Sequence, residues 1–343
     1  MSSVLAGMGW DMVGAAAAAS FYAPIQKVKK WSWETTWVVA GIFSWVLLPL
    51  LVSRTLLPAF FSFYSNIPLH VLTLTFLFGC MWGIGNVNYG LTMRYLGMSL
   101  GIGVAIGVTL VVGTLIPPIV HGRLQYLLTS RAGHFTVAGI LVALLGIAVI
   151  SWAGHQKEQQ MGIRAQEFSL RKGLVLAVFC GIFSSGMSFA IDAAQPMAVA
   201  AQHAGVKPLY AALPSYVIIM AGGALINFGY CFFRLAFNRQ LSLRRDLAEP
   251  KPVLLRNGAL AACGGIIWYL QFFFFAWAGA STPAHLAFIN WMLLMSLYVL
   301  FGGMVGLALG EWREAQGRPV RLLWVGMLII ILAANLVGLG AAS

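Results

Sequence analysis

Ten times along the 343 residues the sequence runs apolar for a membrane's thickness before charge or proline interrupts it. A helix needs about 20 apolar residues to cross roughly 30 Å of hydrocarbon. Inside that solvent every backbone N–H and C=O must be satisfied within the segment, so runs of this length are expected to fold as helices. They are Val4–Ala23, Thr36–Leu57, Leu69–Thr92, Met98–Val120, Phe135–Ala153, Lys172–Ala194, Pro208–Phe233, Asn257–Ala280, Ala287–Leu309 and Val320–Ala341. Pro58, Pro68, Pro196, Pro208 and Pro283 fall near the junctions. Only 9% of the residues are charged and 60% are hydrophobic. A soluble domain carries about 25% charged residues, so a water-soluble fold is excluded. The expected class is an all-α integral membrane protein of ten transmembrane helices, with the lipid bilayer as its surroundings.

The basic residues orient it. Seventeen of the 21 Lys and Arg lie in loops after odd-numbered runs, among them Lys27, Lys29, Lys30, Arg94, Arg164, Arg239, Arg244 and Arg313. The other four are Arg54, Arg123, Arg131 and Lys207. Positive loops stay in the cytoplasm, which predicts that both termini are periplasmic. The formal charge of +12 would suggest nucleic acid in a soluble chain. Here the loop bias explains it, and no nucleic-acid partner is expected. No positive charge precedes the first run, so that run is expected to be a retained helix and not a cleaved signal peptide. Cys80, Cys180, Cys231 and Cys263 sit inside apolar runs without CxxC spacing and are expected to be small buried hydrophobes. No metal site or cofactor is expected.

Two traces suggest an internal repeat. Ser20-Phe21-Tyr22-Ala23 in the first run echoes Ser188-Phe189-Ala190 in the sixth. Gly79-x-x-Trp82 in the third echoes Gly265-x-x-Trp268 in the eighth. Both pair run n with run n+5, an odd offset, so the two halves would enter the membrane from opposite sides. The expectation is two inverted five-helix repeats, residues 1–155 and 156–343, in one membrane domain.

Polar side chains in a bilayer face the bundle interior or a wet cavity. Trp82, Asn86, Asn88 and Tyr89 fall near the middle or inner half of the third run, and Trp268 and Gln271 near the middle of the eighth. Tyr22 and Trp291 complete the candidate binding set. Asn and Gln both donate and accept hydrogen bonds, which suits a neutral polyhydroxylated ligand. The aromatic rings offer a flat face to the C–H side of a sugar. A phosphorylated or carboxylated substrate would want a cation at depth, and none lies there. Each carboxamide could also simply tie two helices together; their convergence at one depth favours a cavity. Asp11 and Asp192 are acids within apolar runs and are the candidates for carrying a proton. Glu34 reads as a helix-start acid and His285 as a loop residue. Gly97, Gly101, Gly103, Gly107 and Gly113 read as close helix packing. A membrane enzyme acting on lipid-linked sugars would need paired acids or a metal cluster at one interface, which the sequence lacks.

The segments FYAPIQKVKKWSWET, MWGIGNVNYGLTMRYLGMSLGIG, RKGLVLAVFCGIFSSGMSFA, LYAALPSY and WYLQFFFFAW closely resemble the L-rhamnose–proton symporter family of the drug/metabolite transporter superfamily. The resemblance runs the full length. It implies proton-driven uptake of L-rhamnose, or a closely related deoxysugar or pentose, through a bacterial inner membrane. A carrier of another small polar metabolite and an uncoupled sugar facilitator are the alternatives. The chain departs from the family pattern at four places. Its ninth run opens without an acid, at Ala284–Trp291. Asp192 stands in place of a carboxamide, Gln195 in place of a lysine and Asp11 in place of a histidine. The resemblance therefore bears on the fold more firmly than on the residue that carries the proton.

Overall fold

A computed structural model describes residues 2–162, 169–238, 241, 243–283, 286–287, 289–315 and 317–342. His285, Arg164 and Arg239 lie outside the described residues, as does the side chain of Arg94. Ten helical segments among the described residues are long and apolar enough to cross a membrane. We number them span 1 (Val4–Ile25), span 2 (Trp33–Leu56), span 3 (Leu69–Leu96), span 4 (Met98–Val120) and span 5 (Arg131–Gln160). Span 6 (Leu170–His203), span 7 (Pro208–Phe237), span 8 (Lys251–Ser281), span 9 (Ile289–Ala308) and span 10 (Arg318–Ala342) follow.

Each apolar run has become one span, but several spans are longer than the runs. Span 6 shows why. The apolar reading stopped it at Ala194, before Pro196. The helix instead pauses at Ala194 and continues as Gln195–His203, with Pro196 in the first turn of that piece. A proline there lacks an N–H that would have had no partner anyway, so it costs nothing. Apolarity marks where the hydrocarbon ends, not where the helix does.

Span 2 carries a local irregularity with a similar origin. Pro49 cannot donate to the carbonyl of Trp45, and its ring crowds that carbonyl. The turn just before it, Ile42–Leu47, is widened to a π-turn, with Leu48 N–H bonding back to the Phe43 carbonyl. Such single wide turns relieve a broken ladder and recur at functional sites.

Lipid gives helices no hydrophobic reason to associate, so small residues and close van der Waals contact must do it. Spans 3 and 7 run parallel and touch backbone to backbone at Gly79, where any side chain would collide with the Ile219 carbonyl. Span 1 lies antiparallel along span 8, and span 10 antiparallel along span 5. Span 4 packs against both span 6 and span 9 beside them.

Ten crossings leave two ends. One holds the termini and the loops 57–68, 121–130 and 204–214; we call it the termini end. The other, the basic end, holds the loop 26–32 and the described residues of the loops 161–169, 238–250 and 309–317. At the basic end two loops far apart in sequence are clipped together. Asp246, fully buried on the short helix Leu243–Leu247, accepts from Ser32 N (2.9 Å), Ser32 Oγ (2.5 Å) and Thr35 Oγ1 (2.7 Å). Ser32 is also the N-cap of span 2. Arg234 donates to Glu34 at 3.1 Å, Lys30 to Glu249 at 2.9 Å, and Asn257 Nδ2 to the Lys29 carbonyl at 2.7 Å.

Candidate functional site

A cavity of about 550 Å³ lies in the half of the molecule nearer the termini end. That is within the usual size of small-molecule sites. Its rim includes the exposed residues His121, Arg123 and Gln202. Ser188, Asp192 and Gln195 contribute one polar stripe from span 6, running from buried Ser188 out to exposed Gln195. Their spacing of four and then three residues puts them on one helix face. Asn290 and Trp291 enter from the start of span 9, while Tyr216 and Phe275 enter from spans 7 and 8.

Several of these side chains are held by backbone or ring contacts. Gly113 of span 4 has no side chain because the Trp291 ring occupies that space. The ring is then fixed by Trp291 Nε1 donating to the Thr109 carbonyl at 3.1 Å and by an edge-on contact with Phe275. Ser188 Oγ donates to the Gly113 carbonyl at 2.7 Å. The Thr282 hydroxyl sits between the Ala278 carbonyl (2.9 Å) and Asn290 Oδ1 (3.1 Å). That leaves Asn290 Nδ2 without a hydrogen-bond partner among the described residues, on a side chain only 2% exposed that lines the cavity. His121 Nε2 faces both oxygens of Asp192, at 3.0 and 2.9 Å, across the mouth.

The residues expected from the sequence fall into three groups. Trp291 and Asp192 line the cavity. Trp82 and Trp268 do meet, with ring centroids 5.5 Å apart, but they lie beneath the cavity and pack against Trp45 at 6.1 and 5.9 Å. Phe272 links this layer to the cavity floor, touching Trp268 at 4.8 Å and Tyr216 at 5.5 Å. On the basic side of the layer is a second void of only about 10 Å³, edged by Phe21, Trp37 and Gly265. That is room for about one water. Asn86 donates to Asn227 Oδ1 at 3.0 Å, an oxygen that also accepts from Trp37 Nε1 at 3.2 Å. Gln271 is buried, with no side-chain hydrogen bond among the described residues.

The third group is elsewhere. Asn88 donates to the Ile84 carbonyl of its own helix at 2.7 Å. Tyr89 faces the hydroxyls of Ser184 and Thr109. Tyr22 is 39% exposed toward the basic end, edge-on to Phe21. Asp11 is completely buried on span 1, and neither carboxyl oxygen has a partner among the described residues. It lies close to Tyr216, a wall of the cavity.

Among the cavity residues not anticipated are Ser188, Gln195, Asn290 and His121. Gln195 lay past the point where the apolar run was ended. The 188, 192, 195 stripe becomes visible only once the helix is carried past Ala194. Asn290 had a signal in plain view, as a carboxamide directly before a tryptophan in an apolar run.

The family described as L-rhamnose-proton symport protein matches residues 1–343. An L-rhamnose-proton symporter of Shigella boydii serotype 18 is 58% identical over 342 residues, covering all of this chain and 99% of the relative. One of Escherichia coli strain SMS-3-5 is 57% identical with the same coverage.

Proposed function

The chain belongs to the L-rhamnose-proton symport protein family, and from that premise we propose how its residues divide the work of carrying sugar and proton. The activity is uptake of L-rhamnose together with a proton, by a transporter and not an enzyme. The membrane is the bacterial inner membrane. The termini end faces the periplasm, because 17 of the 21 Lys and Arg lie between an odd-numbered apolar run and the next, on the side of the basic end. The cavity is then an outward-facing entry for the sugar.

Two inverted five-helix repeats make up the transporter. Several helix pairings support this. Spans 1 and 8 pack as 6 and 3 do, spans 2 and 8 as 7 and 3, spans 1 and 9 as 6 and 4, and spans 4 and 5 as 9 and 10. Each pairing turns into its counterpart when five is added to the span number, counting round from ten to one. Gly79 abuts the Ile219 carbonyl of span 7, and Gly265, its counterpart in the sequence echo, abuts the Ala40 carbonyl of span 2. Trp82 and Trp268, the other echoed pair, touch each other where such an axis would pass.

The sugar sits in the cavity with a C–H face on Trp291 and its hydroxyls toward Ser188, Gln195, Asn290 and the His121–Asp192 pair. The observation that carries this reading is Asn290, a buried amide with an idle donor aimed at an open cavity. The layer of Trp45, Trp82 and Trp268 is the gate below. Three ring contacts at about 0.5–1.5 kcal/mol each hold it shut by only a few kcal/mol. A barrier of that size can be reversed in each cycle by small differences in ligand affinity. Once the gate opens, Trp82, Trp268, Asn86 and Gln271 meet the sugar on its way to the basic end. The clip around Asp246 closes that end in this conformation. Asp11 carries the proton, next to Tyr216 and so within reach of the sugar site.

Proteoliposomes with an acid exterior test this. L-rhamnose should accumulate, and uptake indifferent to the pH gradient would exclude symport. Asn290→Ala should raise the half-saturating rhamnose concentration about tenfold, the upper end of what one lost hydrogen bond is worth. The fold should be unaffected, since Thr282 keeps the Ala278 carbonyl. An unchanged half-saturation would remove Asn290 from the site.

A further inference from the structure

The cavity has two chemically different sides. Its polar groups come from spans 4, 6 and 9: His121, Ser188, Asp192, Gln195 and Asn290. Spans 7 and 8 contribute Ala211, Ala212, Phe275, Ala276 and Gly279 instead. Two polar side chains interrupt that side: Tyr216, whose ring packs against Phe272, and Thr282, whose hydroxyl is already taken up by Ala278 and Asn290. At Gly279 the wall is recessed: a Cβ built there meets nothing within 4 Å.

L-Rhamnose has the same division. Four hydroxyls and the ring oxygen occupy most of its perimeter, and one methyl, C6, is apolar. Of its carbon positions only C6 distinguishes it from L-mannose, which bears a hydroxyl there, and from the pentose L-lyxose, which has no C6 at all. We propose that the C6 methyl seats against the wall of spans 7 and 8, in the recess at Gly279, and that this wall sets the preference for a 6-deoxy sugar. The proposal rests on the cavity being the sugar site. With the hydroxyls engaged by spans 6 and 9, including the idle Asn290 donor, the methyl is left facing the opposite side. A 6-hydroxyl pressed into the recess would lose its water and find no partner. An apolar pocket rejects an added hydroxyl by about 100-fold at most, so the expected preference for rhamnose over mannose is about 10- to 100-fold.

The test uses binding and counterflow of the three sugars in proteoliposomes containing the full chain. Two variants are compared, both placed where the built Cβ meets no neighbour. Gly279→Val fills the recess and should weaken rhamnose about tenfold or more, while lyxose, with nothing there, changes by less than about threefold. Gly279→Ser offers a hydroxyl and should narrow the rhamnose-to-mannose ratio about tenfold. Rhamnose and lyxose falling together in Gly279→Val, with the ratio unchanged in Gly279→Ser, would overturn the proposal. If the Gly279 variants leave all three sugars unchanged while Asn290→Ala weakens them, the wall is wrong and the cavity stands. If all three variants leave every sugar unchanged, the cavity reading falls with it.

Discussion

Asp11→Asn is expected to abolish proton-driven accumulation of rhamnose while leaving exchange of the sugar nearly intact. A one-unit pH gradient corresponds to about 1.4 kcal/mol per proton, a factor of ten. A one-proton symporter can therefore concentrate sugar up to about tenfold on that gradient, and Asp11→Asn should reach only equality. Counterflow, which needs the sugar path but no net proton movement, should stay within about threefold of the parent. The argument is one of placement. Asp11 is fully buried, with neither oxygen paired among the described residues. A charge held that way is costly unless it finds a partner or takes up a proton. Asparagine has the same shape and no proton to exchange, so the variant should fold. Asp192 is the control. It is 33% exposed and faces His121 across the mouth, so Asp192→Asn should weaken sugar binding and retain accumulation. Full accumulation by Asp11→Asn, with its loss in Asp192→Asn, would transfer the proton to Asp192.

The ten spans were legible in the sequence because hydrocarbon thickness and the demand for internal hydrogen bonds act on every residue of a run alike. The site depends on single side chains, and its legibility is uneven. Trp82 and Trp268 were recognised as a central pair from an echo of Gly-x-x-Trp. What they do in this conformation depends on Trp45, brought in by the wide turn before Pro49, and that contact crosses between spans far apart in sequence. Asn86 read as a ligand group because it falls at a similar depth to the other carboxamides and the two tryptophans. Its partner, Asn227, lies 141 residues away. Asn88 needed no distant partner, since the carbonyl four residues back was enough. A buried carboxamide read from sequence thus has three fates, and the choice among them is made by tertiary neighbours. Gln195 was missed for a different reason. A proline that ends an apolar run can still open the next helical turn.

Asp246→Ala is expected to open the basic end and shift the protein away from the outward-facing conformation. Three donors converge on one oxygen of this buried carboxylate, two of them from Ser32, where span 2 begins. Burial pushes the Asp246 carboxyl up, but the Ser32 and Thr35 hydroxyls, the Ser32 N–H and nearby Arg245 outweigh it and hold it below the usual carboxylate value. A carboxyl held low contributes its stability fully above the ordinary carboxylate range and loses it as pH falls through the lowered value. Near neutral pH the clip is therefore at full strength. Removing the carboxylate leaves three donors without their acceptor, at about 1–3 kcal/mol for each that stays buried. If the clip exists only in the outward-facing form, about 3 kcal/mol moves the balance between forms by more than 100-fold. Cys231 is a native reporter, because it is fully buried near the Glu34–Arg234 pair. Its alkylation rate should rise at least tenfold in Asp246→Ala. Glu34→Gln should do much less, since Arg234 is 42% exposed and such pairs are worth little. A lower unfolding temperature with Cys231 still unreactive and transport unchanged would make the clip a structural fastening that stays closed throughout the cycle. In that case the aromatic layer at Trp45 would have to hold back the sugar by itself, and its few kcal/mol would set the leak rate directly.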